Sequence, residues 1–242
     1  YGGKLEVTSG VSSDGNGTLD VSGAGQVWVE RTDGNGAIGV KVDGGRFVNT
    51  GEMSKTSIVA EGGQTILATD GATFVANAGQ HIAVGAEAQV GFDGDAGDIA
   101  ILDLEEGSNL GFVASGDDMG QIGEFRSGAF GDSPDVQSGV NLGNAALSLD
   151  LTGMSAGKLG VTNLIDVDAL KGTLESTSIA GLEDRDAEIV INYGDDTVSL
   201  HLTEGAGVIS LTTLGDEDAH DPEDTALYAA LTASQGTYDE EP

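Results

Sequence analysis

The residues most able to do chemistry in this chain are carboxylates set in glycine-rich turns. "DGNGTLDV" occupies 14–21 and "DGNGAIGV" occupies 33–40. Asp-Gly-Asn-Gly before a small residue and an aliphatic one is how the middle of an EF-hand loop reads. That loop also needs an oxygen ligand at its first position and a bidentate acid at its twelfth. With Asp33 as third ligand, Asn35, Gly36 and Ile38 fit, but the first and twelfth positions fall on Arg31 and Val42. With Asp14 they fall on Ser12 and Gly23. The missing acid excludes an EF-hand, and positive-φ corner turns explain both copies better. Such corners would bring Asp14 and Asp33 together on one edge, where they could share a calcium ion. A second calcium candidate is "DGDAGD", in which Asp93, Asp95 and Asp98 could gather a hard cation if the loop folds over. Asp117–Asp118, Asp166 with Asp168, and Asp195–Asp196 are weaker candidates, best read as a solvated acidic face.

Catalytic constellations are thinner. Arg46, Lys55 and Arg126 are the bases a polysaccharide lyase or epimerase would need, but none is tied in sequence to an Asp cluster. His81 opens a strand pattern, His201 lies between two leucines in "SLHLT" and should face solvent, and His220 sits in an acidic tail. No Ser–His–Asp, HExxH or P-loop pattern occurs. Trp28, Tyr193 and Tyr228 are too scattered to make a sugar-stacking platform.

The elements that must position these groups are short β runs broken by Gly, Asn and Asp, such as "KLEVT", "QVWVE", "IGVKV" and "AEIVI". Their spacing predicts an all-β protein. From residue 57 five octads run in register: "SIVAEGGQ", "TILATDGA", "TFVANAGQ", "HIAVGAEA" and "QVGFDGDA". Alternate residues of a strand share a face, so the second and fourth positions of each octad point inward. Such regularity predicts a single-stranded β-solenoid (a parallel β-helix), with a β-sandwich or jelly roll as the rival architecture. With three octads to a coil, Ile58 stacks on Ile82 and Ile66 on Val90. We expect solenoid coils over 1–144 with a loop excursion at about 114–144, terminal coils or a cap over 145–215, and an acidic tail over 216–242. "EIVINYGDDTVSLHL" reads as two strands around a Gly-Asp-Asp turn, and Asp221, Pro222 and Glu223 open a short C-terminal helix over 221–235.

Composition narrows the partners. Acidic residues outnumber basic ones 41 to 9, a formal charge of −32. Phosphate backbones and anionic membrane surfaces are therefore poor partners. No apolar run is long enough to insert into a membrane as a helix. Cysteine is absent, which removes disulfides and thiolate chemistry. Tyr1 has no basic, then apolar, leader behind it, so either a targeting segment has been removed or the chain is part of a longer one. Stacked strands about 4.8 Å apart hold like charges inside a Debye length of about 8 Å. Salt or divalent cations should therefore stabilise the fold.

"VDGGRFVNTGEM" (42–53) resembles the coils of bacterial autotransporter passengers and haemagglutinin-like adhesins. The block 147–202 is similar to the closing regions of large secreted β-helical proteins of marine alphaproteobacteria. The resemblance implies an exported, extracellular or cell-surface β-helix used as stalk, adhesin or matrix fibre. It would self-associate or join neighbouring subunits. The expected function is structural and non-catalytic; the alternatives are a glycan- or surface-binding module and a lyase or epimerase.

Overall fold

The computed structural model describes residues 4–7, 17–22, 26–29, 38–69, 71–94, 97–126, 129–130, 136–155, 157–174, 176–181, 187–194, 196–204 and 209–213. These residues are all-β, and no helix occurs among them. The helix expected over 221–235 lies outside them, as do Asp14, Asp33, Asp95, His220 and Tyr228. The described strands form one sheet of 17 and one of five. Their pairings resolve into three ladders that the chain visits in turn.

The first strands alternate between two ladders: β1 (Lys4–Val7), β2 (Gly17–Ser22), β3 (Gln26–Val29), β4 (Ile38–Asp43) and β5 (Arg46–Asn49). A third ladder opens at β6 (Glu52–Met53). β7 (Thr56–Thr69) then bends through ladders one and two, β8 (Thr73–Ala76) joins the third, and β9 (His81–Asp93) repeats the bend. β10 (Ile99–Leu104) pairs in parallel with β8. Parallel pairing across these returns is what the octads demand, because each apolar position must land on its counterpart one strand away.

In the first ladder two columns of register-matched residues run through the strands. One is Leu19, Val40, Ile58, Ile82, Leu110, Leu147 and Thr177 in register. The other is Val21, Val42, Ala60, Val84, Phe112, Leu149 and Ile179. From Val40 to Leu149 both columns are buried. Met53, Phe74, Leu102 and Val140 form the matching column of the third ladder, and all are fully buried. The columns meet in one continuous apolar core.

Ile58 stacks on Ile82 as expected, but Ile66 does not stack on Val90. Between the two ladders β9 has one more residue than β7, and the offset returns only at Leu67. Thr65 therefore pairs with Val90 and Ile66 with Gly91. A slip of one residue turns a side chain to the opposite face. Ile66 leaves the main core and packs with Val48 and Phe125 in a second buried cluster.

Residues 114–144, expected as a loop excursion, carry strands. β11 (Asn109–Ser115) and β12 (Asp118–Met119) make a tight antiparallel pair. β13 (Gln121–Arg126) joins the second ladder beside β9, β14 (Ala129–Phe130) turns back on it, and β15 (Gln137–Asn141) extends the third. "QIGEF" at 121–125 repeats "QVGFD" at 89–93 with an acid at an inward position, which disguised the strand.

β16 (Ala146–Asp150) and β19 (Ser176–Ala180) continue the first ladder, β17 (Gly160–Asp166) the second and β18 (Ala169–Lys171) the third. The second ladder then changes direction. β20 (Ala187–Tyr193) and β21 (Thr197–Glu204) form the expected hairpin, closed by the Gly194 N–H donating to the Thr197 carbonyl at 2.7 Å. β21 lies antiparallel on β17, and β22 (Ile209–Thr213) pairs in parallel with β20.

Buried polar groups sit at the bends. Asn49 is fully buried; its amide donates to the carbonyls of Leu67 and Thr73, and its oxygen accepts from the Gly51 N–H. Asn141 donates to the Asp103 carboxylate at 2.7 Å, both side chains being buried. These contacts satisfy backbone that a corner would otherwise strand away from water.

Candidate functional site

Of the calcium candidates inside the described residues, Asp93 is bound to the Arg46 guanidinium at 3.0 Å. Asp98 is half-buried, and its backbone carbonyl accepts from the Gln137 N–H at 2.8 Å. No three acidic or His side chains converge on one point among the described residues. Arg46 is thereby engaged as a structural cation. Lys55 sits at a positive-φ corner (φ 54°), with its N–H bonded to the Asn77 side chain. His81 is exposed at the head of β9, its N–H donating to Ser57 Oγ. His201 is half-buried between buried Leu200 and Leu202, with Nε2 at 3.1 Å from Ser199 Oγ.

The structure assembles a different group. β9, the β11–β12 turn, β13 and β17 enclose a groove of about 660 Å³. β9 contributes Glu87 and Gln89, the turn Asp117, Asp118 and Met119, and β13 Gln121. Lys158 and, from β17, Val161, Thr162, Asn163 and Asp166 close the other side. Four carboxylates, three side-chain amides and one ammonium make a wall of donors and acceptors for hydroxyl-rich or cationic groups. Asn163 holds Asp166 in place, its amide donating at 3.0 Å. Asp117, Asp118 and Asp166, minor candidates in the sequence, are thus brought together here, while Asp195 lies outside the described residues.

The amides belong to a longer row. Lys4, Gln26, Arg46, Gln64, Gln89 and Gln121 occupy one register position of the second ladder, and Gln64 donates to Gln89 at 3.1 Å. The signal was present in sequence as a Gln or base at the equivalent point of β1, β3, β5, β7, β9 and β13.

Behind the groove lies a group that sequence reasoning missed. Glu124 accepts a hydrogen bond from the Ser138 hydroxyl and faces Asp168 and Asp166. Burial, more than its neighbours, pushes its carboxyl up to about 7. Asp168, paired with Asp166 in the sequence reading, is the member that reaches this group. Alignment of "QIGEF" on "QVGFD" would have exposed Glu124 as an acid in an apolar column. No protein-family model, curated protein or solved structure matches the chain.

Proposed function

We propose that the chain is a non-catalytic structural element: a parallel β-helix serving as an exported stalk, adhesin passenger or extracellular fibre segment. One observation carries the reading. Three ladders, parallel except where β20–β22 close the second, are visited in turn, and in the first the buried apolar columns run from Val40 to Leu149. Such an arrangement transmits load along the stack and places chemistry only where loops leave it. Among the described residues the first ladder contains seven strands; at about 4.8 Å each they span about 29 Å.

The ends supply the means of assembly. Among the described residues β19 pairs only with β16. A strand with one free edge accepts another strand. The acidic surface keeps such rods apart until cations screen it, so calcium acts as a counterion and not as a catalyst. Electron microscopy at rising concentration with calcium should reveal end-to-end particles, and a uniformly monodisperse field would overturn the fibre form. A second reading, a glycan- or surface-binding module, rests on the groove between Gln89, Gln121 and Asn163. A glycan array in which Gln121→Ala abolishes any signal supports it, and a blank array removes it.

A further inference from the structure

Two columns of the core end in polar groups on the same side of the stack. Ala68 and Phe92 are followed in register by Glu124, and Ala100 by Ser138. Ser138 is fully buried and Glu124 half-buried. Ser138 is the hub of the group. Its hydroxyl donates to Glu124 Oε1, and its N–H donates to Asp168 Oδ2 at 3.0 Å. The Asp168 N–H donates back to Ser138 Oγ at 3.2 Å. The two carboxylates thus gather on one serine, close enough for the charge of Asp168 to act on Glu124.

The proton count decides what this group can do. Ser138 has one hydroxyl proton, and it is used on Glu124. Two ionised carboxylates have only acceptors, so a pair gathered on one serine repels unless one of them keeps a proton. We propose that Glu124, Ser138 and Asp168 form a proton-dependent clasp between β13, β15 and the β17–β18 turn, closed while one of the two carboxyls keeps a proton. Loss of that proton leaves two anions on one serine and opens the clasp.

The surroundings favour retention of the proton. Phe92 of β9 is apolar, Ser138 of β15 is neutral, and Asp168 and Asp166 are anionic; no described base acts on Glu124. Burial first, and then the negative charge of Asp168 and Asp166, raises the carboxyl from 4.5 to about 7, against the lowering effect of the Ser138 bond. The folded chain therefore keeps a proton that the unfolded chain releases above about 4.5. Stability from this group is full below that pH, declines as pH rises to about 7, and is flat beyond.

The test compares melting temperatures of the full chain and Glu124→Gln between about pH 5 and about pH 8.5. Glutamine keeps the shape and donates from Nε2 where the protonated acid would. The wild-type protein should lose several degrees relative to the variant as pH rises. A difference that stays constant across the range overturns the clasp. Should the variant fail to fold, wild-type hydrogen exchange decides. Amides of Gln121–Arg126 and Gln137–Asn141 should lose protection at high pH beyond the intrinsic rate change, while those of Thr56–Thr69 do not. An equal response in all three strands overturns the proposal.

Discussion

A glycine can be required by its backbone angle or by its neighbours, and two positions in this chain separate the causes. Gly71 adopts φ 82° with nothing within 4 Å of where a Cβ would stand. Gly91 has no such angle, but its Cβ would lie 1.8 Å from the Gly123 carbonyl oxygen on the next strand. We predict that Gly71→Ala costs about 1 kcal/mol, the left-handed penalty alone. Gly91→Ala should cost more than about 3 kcal/mol, because backbone and not side chain has to move. Urea denaturation of the two variants checks the order. Tyr193 offers a test of opposite sign. It is buried, its hydroxyl has no partner among the described residues, and burial pushes the phenol up to about 12. Tyr193→Phe should leave stability unchanged or raise it by about 1 kcal/mol. In the wild-type protein the folded phenol stays neutral where the unfolded one ionises. Stability should therefore hold up to about pH 10 and fall as pH rises towards about 12. Phenolate absorbance followed through an alkaline titration reports it.

At the scale of elements, the hairpin β20–β21 matters most. β21 covers the outer edge of β17 with antiparallel pairs from Gly160↔Leu202 to Asp166↔Thr197. Parallel strands one after another would leave that edge open to another copy, and reversing direction blunts it. Truncation ending the chain at residue 186 should make oligomers appear at lower concentration than in the full chain on size-exclusion chromatography; a truncated chain that associates no more readily would refute the capping role. The bulged crossing of β7 over β9 is a second element-level device. It sends Ile66 out of the core and into contact with Val48 and Phe125, giving β13 an apolar seat on the outer face. Ile66→Ala should therefore loosen β13 more than β11, which hydrogen exchange can resolve by strand.

Charge acts on the whole molecule. A net −32 carried on ladders of closely spaced strands opposes compaction wherever acids stack. Lys41 relieves it locally by pairing with Glu61 at 2.8 Å, and Arg46 by pairing with Asp93. Both pairs are partly exposed and each contributes about 0–1 kcal/mol. We predict that solution ions screen the remaining repulsion. Melting temperature should rise from low to high NaCl, and rise further with millimolar calcium than with magnesium-free chelator buffer. Identical melting under all these conditions would remove electrostatic screening as a stabilising factor.

Strand content, the inward positions of the octads other than Ile66, and the Ile58–Ile82 stack were legible in the sequence because side-chain alternation and repeat length are local properties of the chain. The same locality makes Gln-headed strands recognisable once their shared register is known. Three other features depended on tertiary structure. Ile66 changed face because one extra residue at a bend, invisible to the repeat, reversed the alternation. β13 was hidden because an acid stood in an apolar column, and only the buried Ser138 and the nearby Asp168 make that position tolerable. The groove draws Glu87, Asp118 and Asp166 together from strands far apart in sequence. Periodicity determines which residues point inward, since each strand repeats every two residues; stacking determines which acids meet, since neighbours in a ladder are set by the lengths of the loops between them.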